Sequence, residues 1–208
     1  MTATLLFSFL FAITILTLTP GFDTALVLRT AAAQGWRRGS ATALGINLGC
    51  LVWGVAVGYG LGALLLASEM AYNLLKWAGA AYLLWLGVRL LLNPRTQPQE
   101  EAPNETAPQS YLSCFNRGLF GNLLNPKMGV FYVTFLPQFI PPGASVPLWC
   151  SLLALMHIAI GLLWNAILIG GSHYFAAHLR RPAVLKVMDR LTGMVFIGFA
   201  AKLALSRR

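Results

Sequence analysis

Charge is scarce in this chain. Only 10% of its 208 residues are charged, six of them are Asp or Glu, and 57% are hydrophobic. Such a composition leaves too little polar surface for a water-soluble globular protein. The sequence therefore predicts a protein that uses the lipid bilayer as its solvent.

Several functional motifs are also missing. No GxxxxGK[ST] loop occurs, which argues against ATP as the energy source within this chain. The three cysteines, Cys50, Cys114 and Cys150, show no CxxC spacing, so we expect them to be packing residues rather than metal ligands or a thiol carrier. No Lys or Arg precedes the first apolar run, so we expect that run to be retained and not removed as a signal peptide. We predict no metal and no cofactor.

Long apolar runs are abundant instead. Six of them approach the roughly 20 residues that are needed to cross a bilayer. They are 5–28, 43–67, 74–92, 119–140, 148–170 and 191–205. Backbone groups in lipid must be hydrogen-bonded within the segment, so each run should be a helix. The predicted fold is an all-α integral membrane protein with six transmembrane helices.

A polar segment separates the apolar runs into two groups of three. Residues 93–110 contain four prolines and three of the six acidic residues, a composition typical of a solvated flexible linker. We expect it to connect a three-helix repeat, 1–92, to a second one, 111–208. With an odd number of helices in each half, the second repeat enters the membrane in the opposite direction. The repeats are therefore predicted to be inverted.

Two prolines interrupt the first and fourth helices. Pro20 and Pro126 stand 106 positions apart, and Thr19 and Asn125 precede them. We expect Thr19 and Asn125 to cap a restarting helix whose first residue is the proline, because that position has no N–H to lose. Each break would then place a helix N-terminus, with partial positive charge, inside the membrane. Interrupted helices in matching positions of two halves indicate the binding site of a transporter.

One ionisable residue follows each break. Asp23 comes after Thr19, Pro20 and Gly21, and Lys127 comes directly after Pro126. Placing either charge at the bilayer centre costs about 2.5–3.5 kcal/mol on insertion scales, so we expect both to have a function. Together they suit the ammonium and the carboxylate of a free amino acid, and Asp23 is the first candidate proton carrier. The alternative is a structural ion pair between Asp23 and Lys127.

Other polar residues at membrane depth give weaker signals. Asn47 and Asn165 occupy the second and fifth helices, and we predict that they line the substrate cavity, with helix-to-helix hydrogen bonding as the alternative. His157 is expected to be a packed or hydrogen-bonded histidine, with a proton-relay role as the alternative.

The net charge of +9 is interpreted as a topology signal and not as a nucleic-acid site, because the basic residues are scattered between the apolar runs. Ten of the fifteen Lys and Arg residues fall around the first, third and fifth connections between helices. Basic loops remain cytoplasmic, so both termini should lie outside.

Several motifs together resemble the LysE/RhtB family of amino-acid exporters. They are Thr19-Pro20-Gly21-Phe22-Asp23-Thr24, Gly35-Trp36-Arg37-Arg38-Gly39, Leu44-Gly45-Ile46-Asn47-Leu48-Gly49, Asn125-Pro126-Lys127 and Phe135-Leu136-Pro137-Gln138-Phe139. The resemblance covers nearly the whole chain in the right order. It implies a multi-pass protein of the bacterial inner membrane that exports amino acids such as lysine, threonine, homoserine or leucine. Phe22 stands where the family commonly has Pro, and Met128 where it has a small residue.

The predicted function is that of a secondary transporter and not of an enzyme. We expect it to export a small amino acid or related zwitterion across the cytoplasmic membrane by proton antiport, since a nucleotide-binding loop is missing. A divalent-metal exporter, an exporter of another small solute and an intramembrane enzyme remain the alternatives. The expected partners are the amino acid, protons and the lipid bilayer, with a homo-oligomer left open.

Overall fold

The computed structural model describes residues 3–67, 69–94, 109–179 and 181–205, and within these ranges it contains helices and no strands. The predicted all-α class is therefore confirmed for the described part of the chain. The helices of the first half are α1 (Ala3–Leu18), α2 (Phe22–Gln34), α3 (Trp36–Ala67) and α4 (Glu69–Leu92). Those of the second half are α5 (Tyr111–Leu123), α6 (Pro126–Phe135), α7 (Val146–Gly170), α8 (Ser172–Leu179) and α9 (Pro182–Leu205), with a short 3-10 segment at Leu136–Phe139.

Apolar helices of membrane-spanning length are present. Among the described residues, Trp36–Gly60 and Val146–Gly170 are long and apolar enough to cross a bilayer by themselves. Thr4–Leu18 and Phe22–Gln34 qualify as a pair, bent by 51° at the break between them. The structure is thus consistent with a membrane protein, and the number of six spans stays a prediction.

Several helices begin earlier than the apolar runs predicted. Helix α3, which contains the second apolar run, starts at Trp36, so Arg37 and Arg38 lie in a helix and not in a loop. Helix α9, which contains the last run, starts at Pro182. Hydropathy locates the apolar part of a helix, whereas the backbone hydrogen bonds continue through the polar turns at its ends. Most of the predicted linker, 93–110, lies outside the described residues.

The long helix α3 packs against α5 and α7, and α4 packs against α9. Backbones approach closely where α3 meets α5. A Cβ atom added at Gly45 would lie 2.0 Å from the carbonyl oxygen of Phe115, and one at Gly118 would lie 2.2 Å from that of Thr42. Only glycine fits at these two positions, so Gly45 and Gly118 allow the close packing of α3 against α5.

An aromatic core packs around α6 and the 3-10 segment that follows it. Phe135 of α6 stacks on Phe131 with ring centroids 4.4 Å apart and meets the edge of Phe199 of α9 at 4.2 Å. Phe9 of α1 approaches Phe139 at 5.2 Å. These contacts join α1, α6 and α9, so they pack helices from both halves of the chain against one another.

Candidate functional site

The first break separates α1 from α2 at Thr19, Pro20 and Gly21. Thr19 was predicted to cap the restarting helix, and this prediction is wrong, because α2 begins at Phe22 with Gly21 at its N-cap. Thr19 ends α1 instead: its N–H donates to the carbonyl oxygen of Ile15 (3.0 Å) and its hydroxyl contacts the same oxygen (2.7 Å). The Thr19 hydroxyl also shares a buried hydrogen bond with the hydroxyl of Thr192 in α9.

Pro20 does not begin a helix, contrary to the prediction, but its missing N–H still shapes the break. In a continuous helix the N–H of residue 20 would donate to the carbonyl oxygen of Leu16. In the structure Lys127 Nζ donates to that oxygen (3.4 Å) and to the carbonyl oxygen of Thr19 (3.5 Å). The ammonium group from the second half therefore takes the place of a backbone donor in the first.

The second break follows the prediction. Asn125 is the N-cap of α6, its side-chain oxygen accepts from the backbone N–H of Lys127 (3.1 Å), and Pro126 is the first residue of the helix. The amide nitrogen of Asn125 also donates to Asp23 Oδ1 (3.4 Å). Asn125 and Lys127 thus both reach across from the second break to the first.

Asp23 lies in the first turn of α2, where the helix dipole favours a negative charge. Its Oδ2 accepts from the amide nitrogen of Asn122 (2.8 Å), a fully buried residue of α5 that the sequence interpretation missed. The same nitrogen lies 3.6 Å from the sulfur of Cys50. Its position three residues before Asn125 is no signal by itself, because the helix break separates the two residues.

One cavity connects these groups. The empty space is about 560 Å³, including the part continuous with solvent. Its lining comprises Leu16, Thr17, Thr19, Gly21, Phe22, Asp23, Thr24, Ile46, Asn47, Cys50, Asn125, Lys127, Met128, His157, Gly161, Trp164 and Asn165. The residues predicted to bind substrate are Thr19, Pro20, Gly21, Asp23, Asn47, Asn125, Pro126, Lys127 and Asn165, and seven of these nine line the cavity, all except Pro20 and Pro126. Pro20 lies outside the lining, and for Pro126 only the backbone is described.

His157 faces this cavity from α7 and is buried. Its Nδ1 lies 2.9 Å from the hydroxyl of Tyr132 in α6, which is fully buried. The histidine is therefore hydrogen-bonded, as predicted, and Tyr132 is a partner that the sequence did not identify. The three cysteines Cys50, Cys114 and Cys150 are buried, in agreement with their expected packing role.

The break at Pro20 can be tested by Pro20→Ala. The new N–H should donate to the carbonyl oxygen of Leu16, compete with Lys127 and draw the first turn of α2 toward a continuous helix. We expect well-expressed protein. Its unfolding temperature should rise at least tenfold less than that of the parent when a saturating amino acid substrate is added. The measurement is substrate-induced stabilisation of the purified protein in detergent.

The matched control is Pro147→Ala. Pro147 stands in the first turn of α7, where a proline removes no intrahelical hydrogen bond, so this variant should behave as the parent. Equal stabilisation of all three proteins by substrate would contradict a role for the first break in building the site.

Comparison with known proteins agrees with the resemblance noted from the motifs. A family model described as LysE type translocator matches residues 14–207. A homoserine/homoserine lactone efflux protein of Salmonella typhi is 32% identical over 97% of this chain and 96% of its own length. A leucine efflux protein of Klebsiella pneumoniae is 33% identical over 90% of this chain and 88% of its own length.

An uncharacterized membrane protein of Bacillus subtilis is 31% identical over 90% of this chain and 92% of its own length. No solved structure shows a significant match to the chain. The family match spans almost the whole sequence, including both breaks and the residues that line the cavity. The chain belongs to the LysE family of translocators.

Proposed function

We propose that the chain is a secondary transporter that exports a small amino acid or related zwitterion across the bacterial cytoplasmic membrane by proton antiport. The observation that carries the proposal is the meeting of Asp23 and Lys127 in one cavity at two helix breaks. The efflux functions named for two relatives support the same class of substrate.

The carboxylate of the substrate would bind beside Lys127 at the start of α2. Gly21 provides no side-chain cap, so the first N–H groups of α2 are available to an anion. A Cβ atom at Gly21 would lie 3.7 Å from Lys127 Nζ, so the ammonium group stands next to that helix terminus. On binding, the carboxylate would replace the carbonyl oxygens of Leu16 and Thr19 as the partner of Lys127.

The ammonium of the substrate would bind to Asp23. This carboxylate accepts hydrogen bonds from two neutral amides, Asn122 and Asn125, which orient it without cancelling its charge. Because a proton and a substrate ammonium would both neutralise Asp23, they would compete for the same group. Competition of this kind couples the exit of the amino acid to the entry of the proton.

The architecture proposed is two inverted three-helix repeats with six membrane crossings. In the first half the bent pair α1–α2 is followed by a long helix, α3, and then by α4. In the second half α5 and α6 meet at a break and are followed by the long helix α7 and, after α8, by α9. The same order of a broken, a long and a final helix supports the repeat.

An export assay with inside-out vesicles tests the function. Vesicles that contain the protein are energised with a proton gradient, supplied with an amino-acid mixture, and compared with vesicles that lack the protein. We expect one or a few amino acids to accumulate only when both the protein and the gradient are present. Accumulation of divalent metals without any amino acid would contradict the proposal and favour a metal exporter.

Orientation gives a separate prediction. Because basic residues cluster at the odd-numbered connections, a reporter fused after Arg208 should be active in the periplasm, and Gln99→Cys should be protected from impermeant thiol reagents in intact cells. The parent is the control, since its three cysteines are buried. Labelling of Gln99→Cys from outside would reverse the proposed orientation.

A further inference from the structure

Asn47 carries a hydrogen-bond acceptor that the described structure leaves open. Its side chain is 7% exposed and lines the cavity from α3. The amide nitrogen donates to the carbonyl oxygen of Ala43 (2.7 Å), which fixes the orientation of the amide group. Within the described residues, no donor is bonded to Asn47 Oδ1. Because Asn47 lines the cavity, this oxygen can be satisfied there by water or by a ligand.

Gly161 of α7 is the residue that keeps this acceptor accessible. A Cβ atom added at Gly161 would lie 2.9 Å from Asn47 Oδ1, which is closer than ordinary van der Waals contact. Any larger residue would therefore press on the amide oxygen or push α7 away from α3. Both residues line the same cavity as Asp23 and Lys127, so the open acceptor faces the space in which a substrate would lie.

The surrounding wall is uncharged. Ile46, Met128 and Trp164 contribute apolar surface to the same lining, and among the described lining residues the fixed charges are Asp23 and Lys127. Under the proposed function these two charges are used by the ammonium and carboxylate that every amino acid has. An additional charge on the substrate side chain would find no oppositely charged partner here, and its desolvation would be uncompensated.

Resting on that function, we propose that Asn47 and Gly161 form the specificity pocket of the transporter and select a neutral amino acid whose side chain donates a hydrogen bond. A hydroxyl group is the donor that fits best, because it is small and carries an aliphatic stem that suits the apolar wall. Asn47 Oδ1 accepts its proton, and Gly161 provides the space through which the hydroxyl reaches it. The apolar isostere leaves the acceptor unpaired and binds more weakly.

The test uses pairs of amino acids that differ by a hydroxyl in place of a methyl group. Purified protein is reconstituted in liposomes, and counterflow is measured with threonine against valine and with homoserine against norvaline. The parent should prefer the hydroxyl member of each pair by about tenfold, the effect of one buried hydrogen bond. Asn47→Leu, which keeps the volume and removes the acceptor, should bring the two members of each pair within about twofold.

Gly161→Ala gives an independent test, because it leaves Asn47 in place and blocks access to it. We expect the same loss of preference, and Gly170→Ala in the same helix should retain it, since a Cβ atom there meets nothing within 4 Å.

The outcomes separate this inference from the proposed function. Transport of amino acids with equal rates for both members of each pair in the parent would overturn the inference and leave the export function standing. An equal loss for both members in Asn47→Leu would also overturn it, because Asn47 would then act on the common backbone of the substrate. Failure to transport any amino acid would overturn both.

Discussion

Replacing Asp23 with Asn is expected to reduce proton-driven export to below a tenth of the parent rate. The variant cannot bind and release a proton at this position, and it presents no negative charge to a substrate ammonium. The fold should tolerate the change, because the new side chain retains one oxygen that can accept from Asn122, whose nitrogen lies 2.8 Å from Asp23 Oδ2 in the parent. Export into inside-out vesicles is measured with and without a pH gradient.

Asp189 provides the matched control for this prediction. It is a fully buried carboxyl-bearing residue of α9 that does not line the cavity, so Asp189→Asn removes a buried acidic group of the same type elsewhere in the molecule. We expect its transport per folded molecule to remain close to the parent's, with any loss following protein level. Normal proton-driven export by Asp23→Asn would reject Asp23 as the coupling residue.

The breaks in the first and fourth helices could be predicted from the sequence because proline acts locally. Pro20 and Pro126 remove backbone donors whatever surrounds them, and Asn125 caps α6 through its own next turn. Thr19 shows the limit of that reasoning. A threonine before a proline can cap the following helix or end the preceding one. Thr19 ends the preceding helix, and its hydroxyl is hydrogen-bonded to Thr192, which is 173 positions away in the sequence.

Residues that act through distant contacts could not be located in the same way. Asn122 is a buried amide in an apolar segment, and its importance rests on a carboxylate 99 positions earlier in the chain. Likewise, Lys127 was predicted to face a substrate or Asp23, whereas the carbonyl oxygens of Leu16 and Thr19 are also within its reach. Spacing along one helix carries no information about such partners from another.

Replacing Lys127 with Met should have an equally large effect on export and an additional effect on stability. The variant loses the ammonium group proposed to bind the substrate carboxylate, so we expect export below a tenth of the parent rate at subsaturating substrate. It also leaves the carbonyl oxygens of Leu16 and Thr19 without their charged donor. Loss of such hydrogen bonds costs about 1–3 kcal/mol, which should appear as a lower unfolding temperature in detergent.

Combining Lys127→Met with Pro20→Ala separates these two effects. The N–H introduced at position 20 can donate to the carbonyl oxygen of Leu16, so the double variant should regain part of the stability that Lys127→Met alone has lost. Export should not return, because neither substitution supplies a positive charge to the cavity. Recovery of both stability and export in the double variant would show that Lys127 serves only to satisfy the broken helix. Recovery of stability alone is the result expected if the same ammonium group holds the break open and binds the substrate.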